Sequence, residues 1–248
     1  ENHTLVPDFD SHGWPQHERN EVLKTLRKGF VTMFAGDQHL GSIVHHGTDN
    51  WNDAGYSFCT PAVASIAARR WAPPNPGIDP YPYLPNNTGK YHDAFGNKIE
   101  VIAVANPIEQ NIGRPNLYDR APGFVIAHFN KDNQKVTVEC WPRYVSYNEE
   151  KQFTGWPIEF NANDNYIISD TFFLPEIVFE KQGDHILKIF KNNQYIYGQR
   201  ILKDTIRPIV PYAGKYNLII SSEDGIKRDT FTSFASRKEN KNTIITDF

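Results

Sequence analysis

A short apolar run, Phe30-Val31-Thr32-Met33-Phe34, follows Gly29 at once and leads straight into Gly36, Asp37, Gln38 and His39. No other stretch constrains the fold as much. A strand of this kind buries its side chains and holds its end rigidly, so a carboxylate and an imidazole projecting from its carboxyl end have fixed positions. Upstream, Val22, Leu23 and Leu26 share one face of a short helix that opens after Trp14-Pro15 and carries Arg27 and Lys28 in its last turn. Gly29 is its stop. Helix and strand together predict an α-to-β unit.

The next stretch extends this reading. Pro61 opens an alanine-rich segment, Ala62 to Arg70, that predicts a second helix. Trp71 to Gly89 is rich in proline and turn residues and reads as a long ordered loop. Ile99 to Ala105 predicts a buried strand, and Phe124–Phe129 with Lys135–Trp141 predicts a hairpin around Asp132-Asn133. Past about Gly155 helical periodicity disappears. Short β-rich runs (Ile177–Glu180, Ile186–Phe190, Gln194–Leu202, Tyr216–Ser221 and Arg228–Phe234) alternate there with turns at Gly183-Asp184, Asn192-Asn193 and Glu223-Asp224-Gly225, the rhythm of a small antiparallel sandwich. The polar tail Arg237–Asn242 reads as solvated. These signals divide the chain into an α/β region over residues 1–160 and a β-sandwich over 166–248.

Polar groups of metal-ligating type crowd the first region. Asp37 and His39 sit two apart in a loop and can converge on one ion. A hard oxygen with a borderline nitrogen suits Zn, Mn or Fe, and Ca less well. They can equally serve the loop itself, Asp37 as a backbone cap and His39 as a buried imidazole. His45 and His46 would face opposite sides of a strand, so at most one joins a site, and His46, followed by Gly47, is the better placed. Asp49, Asn50, Asn52 and Asp53 surround Trp51 in a turn-rich loop, where Asx-type hydrogen bonds compete with substrate contact. Asp8, Asp10, Ser11 and His12 either build the turn into the first helix, coordinate metal or orient a substrate hydroxyl, Asp10 being the residue of interest. Cys59 and Cys140 lack CxxC spacing, lie beside Phe58 and Trp141, and read as structural thiols.

Taken in order, these motifs resemble a known family. Asp10-Ser11-His12-Gly13-Trp14-Pro15-Gln16, Ala35-Gly36-Asp37-Gln38-His39-Leu40-Gly41, His46-Gly47 and Trp51-Asn52-Asp53-Ala54-Gly55-Tyr56-Ser57-Phe58-Cys59 look like the C-terminal half of alkaline-phosphatase-D-type metallophosphatases, within the calcineurin-like metallophosphoesterase superfamily. Asp93-Ala94-Phe95-Gly96-Asn97, Ala105-Asn106-Pro107, Asp119-Arg120-Ala121-Pro122-Gly123 and Glu139-Cys140-Trp141-Pro142-Arg143 continue the resemblance to about Pro157.

The resemblance implies a four-layer α-β-β-α sandwich and a metal-centred site, binuclear in the complete enzyme, that hydrolyses a phosphoester substrate. His39 falls on the late Gly-x-His ligand, and Asp37 stands where another histidine is common, as ligand or as a group orienting one. Asp10, His46 and Asp53 become the substrate-binding candidates. The superfamily's early motifs, Asp-x-His, Gly-Asp-x-x-Asp and Gly-Asn-His, have no counterpart here. The remaining ligands are therefore expected on an N-terminal segment or a companion chain. Export to the periplasm or the extracellular space is expected too, since family members commonly work there.

Composition excludes other classes. With 39% apolar and 13% aromatic residues the chain can fill a core, while a net charge of -3 offers no cationic field for nucleic acid. No run approaches the roughly 18 apolar residues that a membrane span requires. A different functional class remains open, a surface or assembly protein that binds glycan or partner through Tyr195, Tyr197, Tyr212 and Tyr216.

Overall fold

The computed structural model describes residues 13–36, 39–64, 70–82, 87–107, 121–147, 151–168, 171–181 and 183–247. They form two compact units, one comprising residues 1–26 with 30–166, the other 27–29 with 167–248.

The first unit starts with α1 (Gln16–Leu26), which buries Leu23 and leaves Val22 exposed. Phe30, with φ of 52°, turns the chain before the strand begins. Among the described residues of this unit eight strands follow: β1 (Met33–Ala35), β2 (Gly41–His46), β3 (Tyr56–Cys59), β4 (Gly89–His92), β5 (Lys98–Ala105), β6 (Gly123–Asn130), β7 (Lys135–Pro142) and β8 (Ile158–Asn161). Five of them make a sheet in the order β1-β3-β2-β5-β4, in which β1 and β3 run parallel and the other pairs antiparallel. The antiparallel set β6-β7-β8 makes a second sheet.

These two sheets share a core. Ile43, Phe58, Ile102, Ala103 and Ala105 from the first pack with Val136, Val138, Cys140 and Phe160 from the second, and Trp156 joins them. A register shift at Ile43/Val44 leaves Ile102 without a directly opposed residue, so that consecutive residues Ile102 and Ala103 both reach this core. The outer face of the five-stranded sheet carries a smaller cluster of Tyr91, Val101 and Val104, onto which Leu40, Val44 and Trp71 fold.

The α-β-β-α expectation is overturned. Among the described residues there is one α-helix, and the chain is mostly strand in several small sheets. Three physical reasons account for this. The stretch expected to be a helix is not helical at residues 62–64, and residues 65–69 lie outside the described residues. Two segments to which the sequence signals assign no element, 41–46 and 56–59, are strands. Part of the outer sheet face is covered by side chains such as Trp71 and Leu40, which fill the place of a helical layer there.

The second unit contains β9 (Phe172–Phe173), β10 (Glu176–Phe179), β11 (His185–Lys191), β12 (Gln194–Ile201), β13 (Thr205–Ile206), β14 (Ile209–Val210), β15 (Lys215–Ser222), β16 (Arg228–Ala235) and β17 (Thr243–Thr246). A four-stranded antiparallel sheet, β12-β11-β15-β16, accompanies a three-stranded one, β13-β10-β17, and the pair β14-β9. Alternation along β11 and β15 buries His185, Leu187 and Ile189 with Tyr216, Leu218 and Ile220. Phe179 of β10 stacks on His185 of β11 with centroids 4.4 Å apart, which ties the two larger sheets together. The unit is not wholly antiparallel as expected, because β17 pairs parallel to β10. Nor is all of the polar tail solvated, since Asn240 is buried and donates to the carbonyls of Phe173 and Ala235. No helix among the described residues is long and apolar enough to cross a membrane.

Candidate functional site

The two ends of β2 hold different groups. At its start, β1 and its parallel neighbour β3 finish side by side, joined by a hydrogen bond from the Thr60 amide to the Ala35 carbonyl at 2.8 Å. Shortly before β2, His39 adopts φ of 55°, a left-handed conformation that a non-glycine residue holds only when its surroundings enforce it. Gly41 opens β2. A Cβ there would lie 3.2 Å from Ala105 Cβ and 3.4 Å from Cys140 Sγ, so the backbone sits directly on the core. Asp37 lies outside the described residues, as does Asp10.

His46 and Asp53 lie at the other end. Six residues of β2 separate the two regions, about 17 Å of strand at roughly 3.3 Å per residue, so His39 is not brought together with either of them. His46 Nδ1 is 2.9 Å from an Arg19 guanidinium nitrogen and its Nε2 is 2.8 Å from Ser57 Oγ. Arg19 also donates to the carbonyls of Gly47 at 2.8 Å and Lys98 at 3.3 Å. It thereby fastens α1 to β2 and β5. Burial pushes the Arg19 guanidinium down to about 10, with the charges of Asp93 and Asp53 opposing the shift, and it remains a cation at neutral pH.

Asp53 is buried and fully engaged. Its carboxylate accepts from the amides of Thr48 (2.6 Å), Asp49 (3.2 Å) and Asn50 (3.1 Å) and from the Thr48 hydroxyl. This ring of donors shapes the loop between β2 and β3. Gly47 permits the shape, because a Cβ would fall 2.5 Å from the Asn50 carbonyl oxygen. The geometry gives both His46 and Asp53 a scaffold role.

A third group, which sequence reasoning passed over, gathers around Glu100. Glu100 is buried in β5, directly across from His45. Tyr81 donates its hydroxyl to one carboxylate oxygen at 3.0 Å, and the Asn52 amide donates to the other. His45, also buried, stacks on Tyr56 with ring centroids 3.9 Å apart. Burial raises the phenols of Tyr56 and Tyr81, and the nearby carboxylates push the same way. The signal was present in the sequence, since Glu100 interrupts an otherwise apolar strand and a buried charge requires partners. Asn165 was likewise missed. It accepts from the Tyr56 amide at 2.8 Å and donates to Thr32 Oγ1 at 2.9 Å, and it ends a short 3-10 turn (Ala162–Asn165) that Asn161 and Asp164 cap reciprocally.

Among the described residues, no three His, Cys, Asp or Glu side chains come together as a metal-holding group. The aromatic surface of the second unit is also reduced. Tyr197 and Tyr216 are core residues, Tyr195 packs on Phe190, and Tyr212 is exposed beside Lys191. No protein-family model, curated protein or solved structure matches this chain.

Proposed function

We propose that this chain is part of a metal-dependent phosphoester hydrolase, a phosphatase or phosphodiesterase, and supplies one portion of its metal site. The observation that carries the reading is the position of His39, held in a left-handed conformation where the parallel strands β1 and β3 end together. The ordered motifs from Asp10 to Arg143 support it. His39 is the proposed ligand and Asp37 a second ligand or the group that orients one. The remaining ligands come from an N-terminal segment or companion chain, and the complete protein works outside the cytoplasm. Bound ions, a pair of Zn, Mn, Fe or Ca, would supply phosphate clamping and water activation. The scaffold's part is to fix the His39 backbone and to seat Gly41 directly on the core.

The test has two arms. Titrated with Zn or Mn, the chain alone is expected to bind weakly, since two protein ligands rarely hold such an ion, and to leave p-nitrophenyl phosphate intact. Extended by upstream sequence that carries the early ligand motifs, it is expected to hydrolyse the ester, with His39→Ala costing about 10²-fold or more. An extended protein that binds metal and turns over equally well with His39→Ala overturns the assignment.

A further inference from the structure

We propose that His45 is an acid-sensitive latch beneath the Ala162–Asn165 turn, the segment through which the chain leaves the first unit, and that protonating His45 releases this turn. The proposal is independent of the hydrolase reading.

The geometry sets the elements against His45. Its buried ring stacks on Tyr56 of β3, and Tyr56 in turn packs on Phe160 of β8 with ring centroids 4.3 Å apart. Glu100 of β5 stands across the strand pair from His45. Asp164 of the turn contributes both its main chain and its carboxylate to the surroundings of the imidazole, and the Ala54 main chain lies near it too. Tyr81 completes the titratable neighbours through its bond to Glu100. Lys90, next along the sheet from Glu100, is paired with Asp79.

The sign of the response follows from which influence on the imidazole is largest. Burial disfavours the charged ring, and it outweighs Glu100, the Ala54 and Asp164 main chains and the Asp164 charge, all of which favour it. Glu100 is a limited counter-ion because both its oxygens already accept hydrogen bonds from Tyr81 and Asn52. Nε2 of His45 makes no hydrogen bond of good geometry. The closed arrangement therefore prefers neutral His45, and acid favours any opening that exposes it.

The turn is a short element held by a handful of hydrogen bonds, among them those of the Ala162 amide and the Asn163 side chain to Gln134. β3 and β5 are fixed along their length by sheet pairing. The four-residue turn is fastened to the sheet by Asn165, through the Tyr56 amide and Thr32 Oγ1. Short elements held by few bonds occupy the low end of local stability.

Hydrogen exchange of the full chain, corrected for intrinsic rates, tests the latch at pH 7.5 and 5.5. Between these values the opening constant for residues 160–166 and the Tyr56 amide is expected to rise about tenfold, the ceiling for one proton whose exposed-state pKa is about 6.5. His45→Phe, which keeps the stack on Tyr56, is expected to abolish the rise. Should that variant fail to fold, His45→Gln carries the same comparison. The proposal is overturned by no rise in the wild-type chain, by an equal rise in the folded variant, or by residues 160–166 opening only together with the most protected amides of the first unit.

Discussion

The Arg19 guanidinium donates to Nδ1 of His46 at 2.9 Å, and because a guanidinium has no acceptor, the imidazole must carry its proton on Nε2. Nε2 then donates to Ser57 Oγ at 2.8 Å. This polarity is the reverse of a serine nucleophile and its base, so the His46–Ser57 pair has a structural use. Ser57→Ala is expected to leave any esterase activity of the complete protein unchanged, and a fluorophosphonate probe is expected not to label Ser57. Covalent labelling at Ser57 would contradict the tautomer argument.

Arg19 is the larger structural investment. Replacing it by Ala removes its bonds to His46, Gly47 and Lys98. Hydrogen bonds to charged groups contribute about 1.5–3 kcal/mol, so urea unfolding of Arg19→Ala is expected to show a loss of about 2–3 kcal/mol. Arg19→Lys is expected to recover little, because a single ammonium cannot reproduce the fork. A loss below about 0.5 kcal/mol, the range of an ordinary surface substitution, would remove the fastening role.

Asp53 offers a contrast between two uses of one carboxylate. As a substrate contact it would affect KM with little effect on folding. As the acceptor of the Thr48, Asp49 and Asn50 amides it stabilises the loop. The second predicts that Asp53→Ala costs about 2–3 kcal/mol in unfolding free energy and that Asp53→Asn costs less, since one oxygen acceptor remains. Equal stability of all three proteins would return Asp53 to the list of substrate contacts.

Legibility in the sequence followed the clarity of the periodicity. β5, the β6–β7 hairpin and the pairs β11–β12 and β15–β16 stood out because apolar alternation runs between strong turn residues such as Asp132-Asn133 and Asn192-Asn193. β2 and β3 were hidden because their outward positions hold His46 and Ser57, whose bonds with Arg19 no local pattern announces. β17 was hidden because its partner, β10, lies more than sixty residues earlier and pairs parallel, a long-range contact that local pattern does not encode. At the site, the position of His39 outside any strand was legible. The placement of His46 and Asp53 at the far end of β2 was not, because adjacency in sequence says nothing of which end of a strand a loop occupies.

The two thiols are separated by the core. Cys140 is buried between the facing sheets, while Cys59, one residue on from core residue Phe58, faces the other side of its strand. Burial pushes the Cys140 thiol far up. Alkylation of the native protein is expected to modify Cys59 first and Cys140 only at the rate of unfolding. Rapid labelling of both would mean that the core between the sheets opens readily.

The second unit has a core of its own, including Leu174, Ile177, Leu187, Ile189, Leu218 and Ile220. Expressed alone, residues 167–248 are expected to give a β-type circular dichroism spectrum and one cooperative unfolding transition. A helical spectrum or a gradual melt would show that this core depends on the rest of the chain.

Acid sensitivity of the whole fold should trace to His45. Its folded-state pKa lies below the usual value because burial outweighs the neighbouring carboxylates. The unfolded chain therefore binds more protons as pH falls through about 6.5, and stability drops until the depressed folded value is passed. The depressed carboxylates act in the same direction but at lower pH. Glu159, hydrogen-bonded to Lys135, and Asp224, hydrogen-bonded to Ser222, contribute stability that is lost only in the carboxylate range. Between pH 7.5 and 5.5 the imidazole accounts for at most about 1.4 kcal/mol, the tenfold ceiling for one proton. Urea unfolding at both values is expected to show a smaller pH difference in His45→Phe than in the wild-type chain, by up to that amount. Equal differences in the two proteins would place the acid response on another group.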